Sequence, residues 1–286
     1  MSNNDDLLEK IQHEKKYLID LCDGIYQGIA TGKDNVFLVD GNIILGHDIE
    51  RGILRPFLKG KNIRPYTIEW GGLYLIYPYD ENGNVISEQF FKSHYPNAYQ
   101  YMLDNKDNLK GRSYFDKSSK AWYELWNQRK PTRFEGEKIV TLDNASCNSF
   151  ALDINGFFGT TTVYSLKIIS DDGLNNKYVL GVLNSKLLNY YHRNTSVPQA
   201  GGFFRYQALF IKNLPIASAN ETIVNRISKC VTEILLGKKQ NADTTSLENQ
   251  IDFLVYHLYG LTYDEVLKVD PETPISREEY EAYKEE

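Results

Sequence analysis

The chain has 286 residues, of which 42% are hydrophobic and 24% are charged. This composition is typical of a globular protein and excludes intrinsic disorder, a collagen-like repeat and a disulfide scaffold. The formal net charge of −6 excludes a uniformly basic coat for nucleic acid. Residues 51–216, however, hold 21 Lys and Arg against 14 Asp and Glu, and both flanking segments are acidic. A basic face can therefore exist on this chain despite its negative total charge.

Cysteine usage and hydropathy predict a reduced, cytoplasmic protein. The three cysteines, Cys22, Cys147 and Cys230, lie far apart and lack zinc-ligand spacing. The first residues lack the basic-then-apolar layout of an export signal. No apolar run approaches the roughly 20 residues of a membrane span, so we expect no membrane partner.

In chain order, the pattern predicts a helix, then a mixed region, then more helices. Apolar residues at helical spacing predict a first helix over residues 5–21. Two further helices are predicted after Ser93 and over residues 177–193. These two helices interrupt a region from Gly24 to about Pro215 in which strand-like runs alternate with Gly, Asn and Asp turns: NVFLV, IILG, GLYLIYPY, EKIVTLD, SFALDI and TVYSLKII. This mixture predicts an α+β fold, with a twisted mixed or antiparallel sheet, or a partial barrel, and inserted helices.

Beyond Pro215 the sequence predicts a helical region. Asn220 can cap a helix that stops at Gly237, and a second helix is predicted over residues 244–259. Thr262 and Glu265 have capping-box spacing, which Ser276 and Glu279 repeat. We therefore predict three parts: a connector helix at 1–22, a binding domain at 23–216 and a C-terminal helical region at 217–286.

Assembled catalytic signatures are absent from the sequence. GIATGKDN, residues 28–35, differs from a phosphate loop in its glycine spacing and in the Asp34 that follows Lys33. It fits a glycine turn, or a backbone loop that can approach a ligand closely. The five histidines have no paired metal spacing, and no serine lies in a nucleophile elbow. We therefore predict no catalytic residue, metal site or cofactor in this chain.

Three segments carry candidate nucleic-acid contacts. The first, LRPFLKGKNIRPY at residues 54–66, places basic side chains on a turn: Arg55, Lys59, Lys61 and Arg64. Such side chains can follow phosphates, and Arg can also contact guanine in the major groove. A solvated, Lys-rich loop explains the same pattern equally well.

The second segment, residues 110–133, interleaves cations with aromatic residues. The basic members are Lys110, Arg112, Lys117, Lys120, Arg129, Lys130 and Arg133, and the aromatic ones are Tyr114, Trp122, Tyr123 and Trp126. This combination suits a nucleic-acid backbone with stacking contacts. The alternative is that Trp122 and Trp126, four residues apart, anchor a helix to the core.

The third segment, TSVPQAGGFFRYQ at residues 195–207, follows a predicted helix. Gln199, Arg205 and Gln207 have the donors and acceptors that read adenine or guanine edges. A flexible loop before a strand ALFIKNLPI is the plainer reading.

The order of these segments resembles a known family. GIATGKDNVFLV, LRPFLKGKNIRPY, LYLIYPY, LGVLNSKLLNYY, the GGFFRYQ loop, KNLPI and IDFLVYHLYGLTYDEV occur in an order similar to that of TaqI-like C-terminal specificity domains of restriction-modification proteins, especially type IIG fusions. The resemblance covers roughly residues 23–266. It departs at Asp34, where Asn is commoner, and at Ala217, where Pro is frequent.

The resemblance implies a target-recognition domain that reads a short double-stranded DNA sequence. The adenine methyltransferase, and often a nuclease, lie N-terminal to such a domain, and S-adenosylmethionine and Mg²⁺ serve only those modules. The helix at 5–21 would end the connector, and the acidic C-terminal helices would be a spacer or docking platform. Lys33 joins the DNA-binding candidates named above. We expect their loops to converge on one concave basic face.

Two other classes of protein remain open from the residues alone. A protein-interaction scaffold without DNA binding would use the apolar C-terminal helices, and DNA would not retain it at low salt. An enzyme with scattered catalytic residues would reveal a deep pocket that gathers His or carboxylates with shifted pKa values.

Overall fold

The structure, a computed structural model, describes residues 3–13, 15–112, 115, 117–169 and 173–283. Its helices are α1 Asn3–Gln12, α2 Asp34–Phe37, α3 Gly41–Gly46, α4 Glu88–His94, α5 Pro96–Asp104, α6 Asn176–Asn184, α7 Lys186–Thr195, α8 Ala208–Ile211, α9 Glu221–Lys239, α10 Thr245–Leu258, α11 Tyr263–Val269 and α12 Arg277–Ala282. Its strands are β1 Lys16–Tyr17, β2 Cys22–Gln27, β3 Leu38–Val39, β4 Leu54–Leu58, β5 Ile63–Arg64, β6 Thr67–Ile68, β7 Tyr74–Ile76, β8 Lys138–Leu142, β9 Asn144–Ala145, β10 Phe150–Asp153, β11 Phe158–Gly159, β12 Val163–Ile168, β13 Phe204–Arg205 and β14 Pro215–Ile216. The predicted α+β class is confirmed.

Two four-stranded sheets form the centre of the molecule. One is antiparallel, in the order β10-β8-β12-β2, and the other has the order β11-β4-β7-β3. The second sheet is mixed, because β11 pairs with β4 in parallel while the other pairs are antiparallel. Among the described residues the remaining strands form two-stranded ladders, and no closed barrel is present.

The antiparallel sheet separates two hydrophobic cores. Side chains of a strand alternate between the faces of a sheet. One face packs with the terminal helices through residues that include Ile139, Phe150 and Leu166. The opposite face forms a small cluster with the turn after β4 through Val140, Ala151 and Val163. A third hydrophobic cluster, which is also large, lies under the mixed sheet and helices α4 and α5.

Several helix ends follow the predicted local signals. The Asn220 side chain accepts a hydrogen bond from the Ile223 N–H at the start of α9. Thr262 and Glu265 form the predicted capping box of α11. These caps satisfy backbone N–H groups that the first helical turn leaves free. Helix α9 differs from the prediction in continuing past Gly237 to Lys239.

The predicted first helix is wrong beyond Gln12. Lys16 and Tyr17 instead pair with β14, and the Leu18 N–H donates to the Leu214 carbonyl at 2.9 Å. This pairing buries Leu18 completely. A tertiary strand partner therefore overrides the helical periodicity of the segment.

Two predicted strands are helical instead. IILG lies in α3, because the Asp40 carboxylate caps the N–H groups of Asn42 and Ile43. Leu45 in that helix is 82% exposed, so the apolar run does not mark a buried strand. In NVFLV, only the last two residues form a strand, since α2 ends at Phe37.

The other differences concern breaks in longer elements. Residues 177–193 form two helices, because Ser185 ends α6 and its hydroxyl caps α7 at the Leu188 N–H. ALFIKNLPI contains the short helix α8 and then β14, not one strand. Trp122 and Trp126 lie in turns outside any helix, and the residues between them are buried instead.

Candidate nucleic-acid interface

Separate segments of the molecule meet at residues 158–162, which comprise β11 and the turn after it and are called the 158–162 turn. Its Thr160 N–H donates to the Leu58 carbonyl at 3.0 Å. The Thr162 hydroxyl accepts from the Gly60 N–H at 3.2 Å. Backbone groups of the first basic segment are therefore hydrogen-bonded to these residues, in one case through the Thr162 side chain.

The GIATGKDN loop meets the same turn at Gly28. A Cβ atom on Gly28 would lie 2.2 Å from the carbonyl oxygens of Gly159 and Thr160. Only glycine permits this close approach of two backbones. We predicted a glycine turn or a loop that could approach a ligand closely. The close approach at Gly28 is to the backbone of Gly159 and Thr160.

We expect Gly28→Ala to lower the free energy of unfolding by about 1–3 kcal/mol, as overpacking of a well-packed site does. The two backbones must separate to admit the methyl group, so affinity for DNA should fall as well. Gly46→Ala is the matched control, because no atom lies within 4 Å of its added Cβ. Urea denaturation of both variants checks the prediction, and equal stabilities would contradict it.

The middle of the first basic segment carries two lysines, Lys59 in an ion pair and Lys61 without one among the described residues. The Lys59 Nζ lies 3.5 Å from an Asp34 carboxylate oxygen on the GIATGKDN loop. Lys61 is exposed, and Lys33 is partly exposed. Neither of these two side chains has a hydrogen bond or ion pair with the described part of the chain. Three cations thus lie on neighbouring loops beside the 158–162 turn.

The ends of the same segment are less available. Arg64 donates to the Lys61 carbonyl at 2.8 Å and lies 3.7 Å from Glu69. Arg55 donates to the carbonyls of Gly52 and Leu54. Arg55 also lines a groove of about 730 Å³ together with residues 131–132 and 154–156. It lies at the opposite end of β4 from Lys59, roughly 13 Å along the strand.

The third basic segment is an ordered hairpin. The Gln199 N–H donates to the Phe203 carbonyl at 2.7 Å, and the Arg205 N–H donates to the Val197 carbonyl at 3.3 Å. Gly201 and Gly202 take positive φ angles of 76° and 78° at its tip, which favour glycine. The side chains of Arg205 and Gln207 have no hydrogen bond among the residues described, and Gln199 donates to the adjacent Pro198 carbonyl.

A buried histidine holds the base of this hairpin. The His192 Nε2 lies 2.9 Å from the Arg205 carbonyl, which also accepts from the Ser196 hydroxyl. Burial lowers the pKa of His192 to about 4. The ring is therefore neutral at pH 7, and the contact requires the tautomer that carries its proton on Nε2.

The second basic segment does not act as one surface. Arg112 is buried, and its guanidinium donates to the carbonyls of Leu109, Trp122 and Glu124. It holds the segment together, and we withdraw it from the DNA-binding candidates. Tyr114 lies outside the described residues.

The other members of the second segment are dispersed. Arg129 donates to the Gln27 carbonyl at 3.3 Å, which brings it beside the 158–162 turn. Arg133 lies over the Tyr26 ring. Lys110 pairs with Asp107, just before the segment, and Lys120 pairs with Glu124 inside it, while Lys117 and Lys130 are exposed.

Sequence reasoning missed the polar residues between the first and third segments. The Gln27 amide donates to the Thr161 carbonyl at 2.8 Å. The Asp143 N–H donates to the Thr162 carbonyl at 3.0 Å, and its carbonyl accepts from the Tyr206 N–H at 2.8 Å. No motif marks these residues, since strand pairing brings them together. We call the resulting region the junction surface: Gln27, Lys33, Lys59, Lys61, Arg129, Asp143 and Arg205.

The described residues offer neither a group of metal-ligating side chains nor a membrane-spanning helix. In the part of the chain that the structure describes, no group of three or more His, Cys, Asp or Glu side chains could hold a metal ion. None of the described helices is both long and apolar enough to cross a lipid bilayer.

Type II methyltransferases are among the proteins to which the chain is similar. M.MjaIV of Methanocaldococcus jannaschii is 28% identical over 236 residues, which cover 80% of this chain and 76% of that protein. M.BanIII of Aneurinibacillus aneurinilyticus is 26% identical over 255 residues, which cover 85% of this chain and 42% of that protein. The chain thus spans less than half of the second relative.

Among solved structures, the fold is similar to that of MmeI, a type IIL restriction-modification enzyme determined in complex with DNA. The TM-score is 0.62 at 11% identity, and the match covers 94% of this chain and 37% of MmeI. This likeness concerns the fold. The family model of the TaqI-like C-terminal specificity domain matches residues 55–216, more than half of the chain. The chain therefore belongs to the TaqI-like C-terminal specificity domains, which recognise the DNA target in restriction-modification enzymes.

Proposed function

We propose that this chain reads a short double-stranded DNA sequence for catalytic modules that lie N-terminal to it in a longer protein. Those modules would methylate adenine and, where a nuclease is present, cleave the DNA. S-adenosylmethionine and Mg²⁺ would serve those modules, and this chain would supply recognition without chemistry of its own. The family membership supports this division of labour, and so does M.BanIII, of which the match covers only 42%.

One observation supports the proposal. The junction surface draws its cations from separate segments, and the side chains of Lys33, Lys61 and Arg205 form no hydrogen bond with any described residue. Lys33, Lys61 and Arg205 lie on three different segments that hydrogen bonds and an ion pair link to the 158–162 turn and its neighbours. Cations on one surface attract a polyanion, and their number sets the salt dependence of binding.

Within this surface the side chains divide by chemistry. Lys33, Lys59 and Lys61 are point charges suited to phosphates. The planar Arg205 guanidinium can make directional contacts to base edges in the major groove, and so can the amides of Gln199 and Gln207, which lie outside the junction surface on the same third basic segment. The ordered hairpin presents them on a backbone that is already fixed, so little conformational entropy is lost on binding.

We expect Lys61→Ala to weaken binding to all duplexes equally and to reduce the salt slope by about one. Arg205→Ala should cost about 1–3 kcal/mol on the selected sequence and little on random DNA. The Arg205 side chain makes no hydrogen bond to the described residues, so its loss leaves the hairpin contacts of its backbone in place.

The target is first selected from a random duplex pool, and affinities are then measured between 50 and 200 mM salt. Glu272→Gln, an exposed change in the acidic C-terminal region, is the control. A protein that selects no sequence and shows no salt-dependent binding would overturn the proposed function. A loss of equal size on all sequences for Arg205→Ala would remove that residue from base reading.

A further inference from the structure

Asp143 is a carboxylate at the centre of the junction surface. It lies between β8 and β9, and both of its backbone hydrogen-bonding groups are used, by Thr162 and Tyr206. Its position is therefore fixed between the 158–162 turn and the third basic segment. The side chain is partly exposed, and its oxygens accept no hydrogen bond from any residue that the structure describes.

The surroundings of this carboxylate are polar and ordered. Arg205 pairs across the β9–β13 ladder with Asn144, the residue that follows Asp143. Burial and the nearby Asp143 raise the pKa of Tyr164, and Arg205 opposes them. The Gln27 amide donates to the Tyr164 hydroxyl at 3.3 Å.

A carboxylate is an unexpected group on a surface that binds phosphates. It repels phosphate oxygens and can only accept hydrogen bonds when ionised. The groups on DNA that satisfy it are the amino groups of bases, and a carboxylate typically accepts from cytosine N4 in the major groove. Guanine and thymine present oxygen acceptors at the same edge and would be repelled. Adenine has an amino group there, but its N7 acceptor lies beside it and would repel the second carboxylate oxygen.

We propose that Asp143 is a specificity-determining residue, which accepts a hydrogen bond from a cytosine amino group at one base pair of the target. This inference rests on the proposed function. Beside it, the Arg205 guanidinium can donate to a guanine. The pair would thus read donors and acceptors on neighbouring base edges, and Asp143 would act chiefly by excluding bases with an oxygen at that position.

The experiment selects duplexes from a random pool with the full chain and with three variants. Asp143→Asn keeps the side-chain shape, and Asp143→Ser removes both carboxylate oxygens. Asp23→Asn is the matched control, because Asp23 is an exposed carboxylate near the other end of β2 from Gln27. Thermal melting confirms that each variant is folded at the binding temperature.

The parent chain should select a sequence with one pair restricted to cytosine. Asp143→Ser should lose the preference at that pair alone, by about 5- to 150-fold, the equivalent of 1–3 kcal/mol for a good base contact. Asp143→Asn should shift the preference there toward adenine, which Asn pairs with. Asp23→Asn should select the parental sequence.

The outcomes separate the two proposals. If the parent selects no sequence, the proposed function fails. If the parent selects a sequence and both Asp143 variants keep every base preference, recognition stands and the role of Asp143 is overturned. A loss of preference spread over all pairs would also overturn it, because it would indicate a general effect on the surface.

Discussion

Replacing Asp153 with Asn should lower the free energy of unfolding by about 3–5 kcal/mol, the cost of leaving a buried charge without its partner. Lys138 and Asp153 are both fully buried and form an ion pair, with the Lys138 ammonium also donating to the Phe134 carbonyl at 2.6 Å. Burial lowers the pKa of Lys138, and the adjacent Asp153 carboxylate opposes this. Without that carboxylate, the ammonium must lose its proton or draw in water.

Asp153 also shapes the turn on which the junction surface depends. Its carboxylate accepts from the N–H groups of Asn155 and Phe157, which lead into the turn at 158–162. We therefore expect the same variant to weaken DNA binding through the position of that turn.

The double variant Lys138→Met with Asp153→Asn is the control for this prediction. It removes both charges and leaves an amide oxygen that can accept one N–H, so it should be more stable than Asp153→Asn alone. Urea denaturation at pH 7 gives the three free energies of unfolding. A cost below about 1 kcal/mol for the single variant would show that the pair is solvated or dispensable.

Local signals determined how well the fold could be predicted. The caps at Asn220 and Thr262 were predicted correctly because a cap depends on residues three apart in the chain. The first helix was overextended because its end depends on β14, some 200 residues away. The IILG run was ambiguous, since a short apolar segment has no decisive period.

The candidate site also contains residues that the sequence could predict and residues that it could not. Composition pointed to Lys59, Lys61 and Arg205, and these lie on loops that the structure brings together. Composition alone could not separate Arg112, because its burial depends on three carbonyls folded around it. Asp143 escaped notice since nothing in its own neighbourhood of the sequence distinguishes it from a turn residue.

A second buried acid, Asp252, links the C-terminal helices to the third basic segment. It accepts from the Lys186 N–H at 2.8 Å, at the start of α7, and α7 leads directly into the hairpin. Burial raises the pKa of Asp252 to about 7, against the opposing influence of Lys186. The Lys186 ammonium is itself paired with Asp270 at 2.6 Å.

This raised pKa predicts that Asp252 destabilises the fold as the pH rises. The folded protein holds the proton up to about pH 7, whereas the unfolded chain releases it near pH 3.9. The stability contributed by the protonated form is therefore present below pH 4 and is lost between pH 4 and pH 7. Asp252→Asn cannot ionise but keeps an oxygen that accepts from Lys186.

We expect the free energy of unfolding of Asp252→Asn, relative to the parent, to rise by about 2–4 kcal/mol between pH 4 and pH 8. His192 stabilises the fold in the opposite direction, because its low pKa favours folding as the pH rises from 4 to 6.5. That contribution is common to both proteins and cancels in the difference. Urea denaturation at one-unit pH intervals measures the difference, with Glu272→Gln as an exposed control. A difference that stays constant with pH would mean that Asp252 is ionised throughout and solvated in the folded protein.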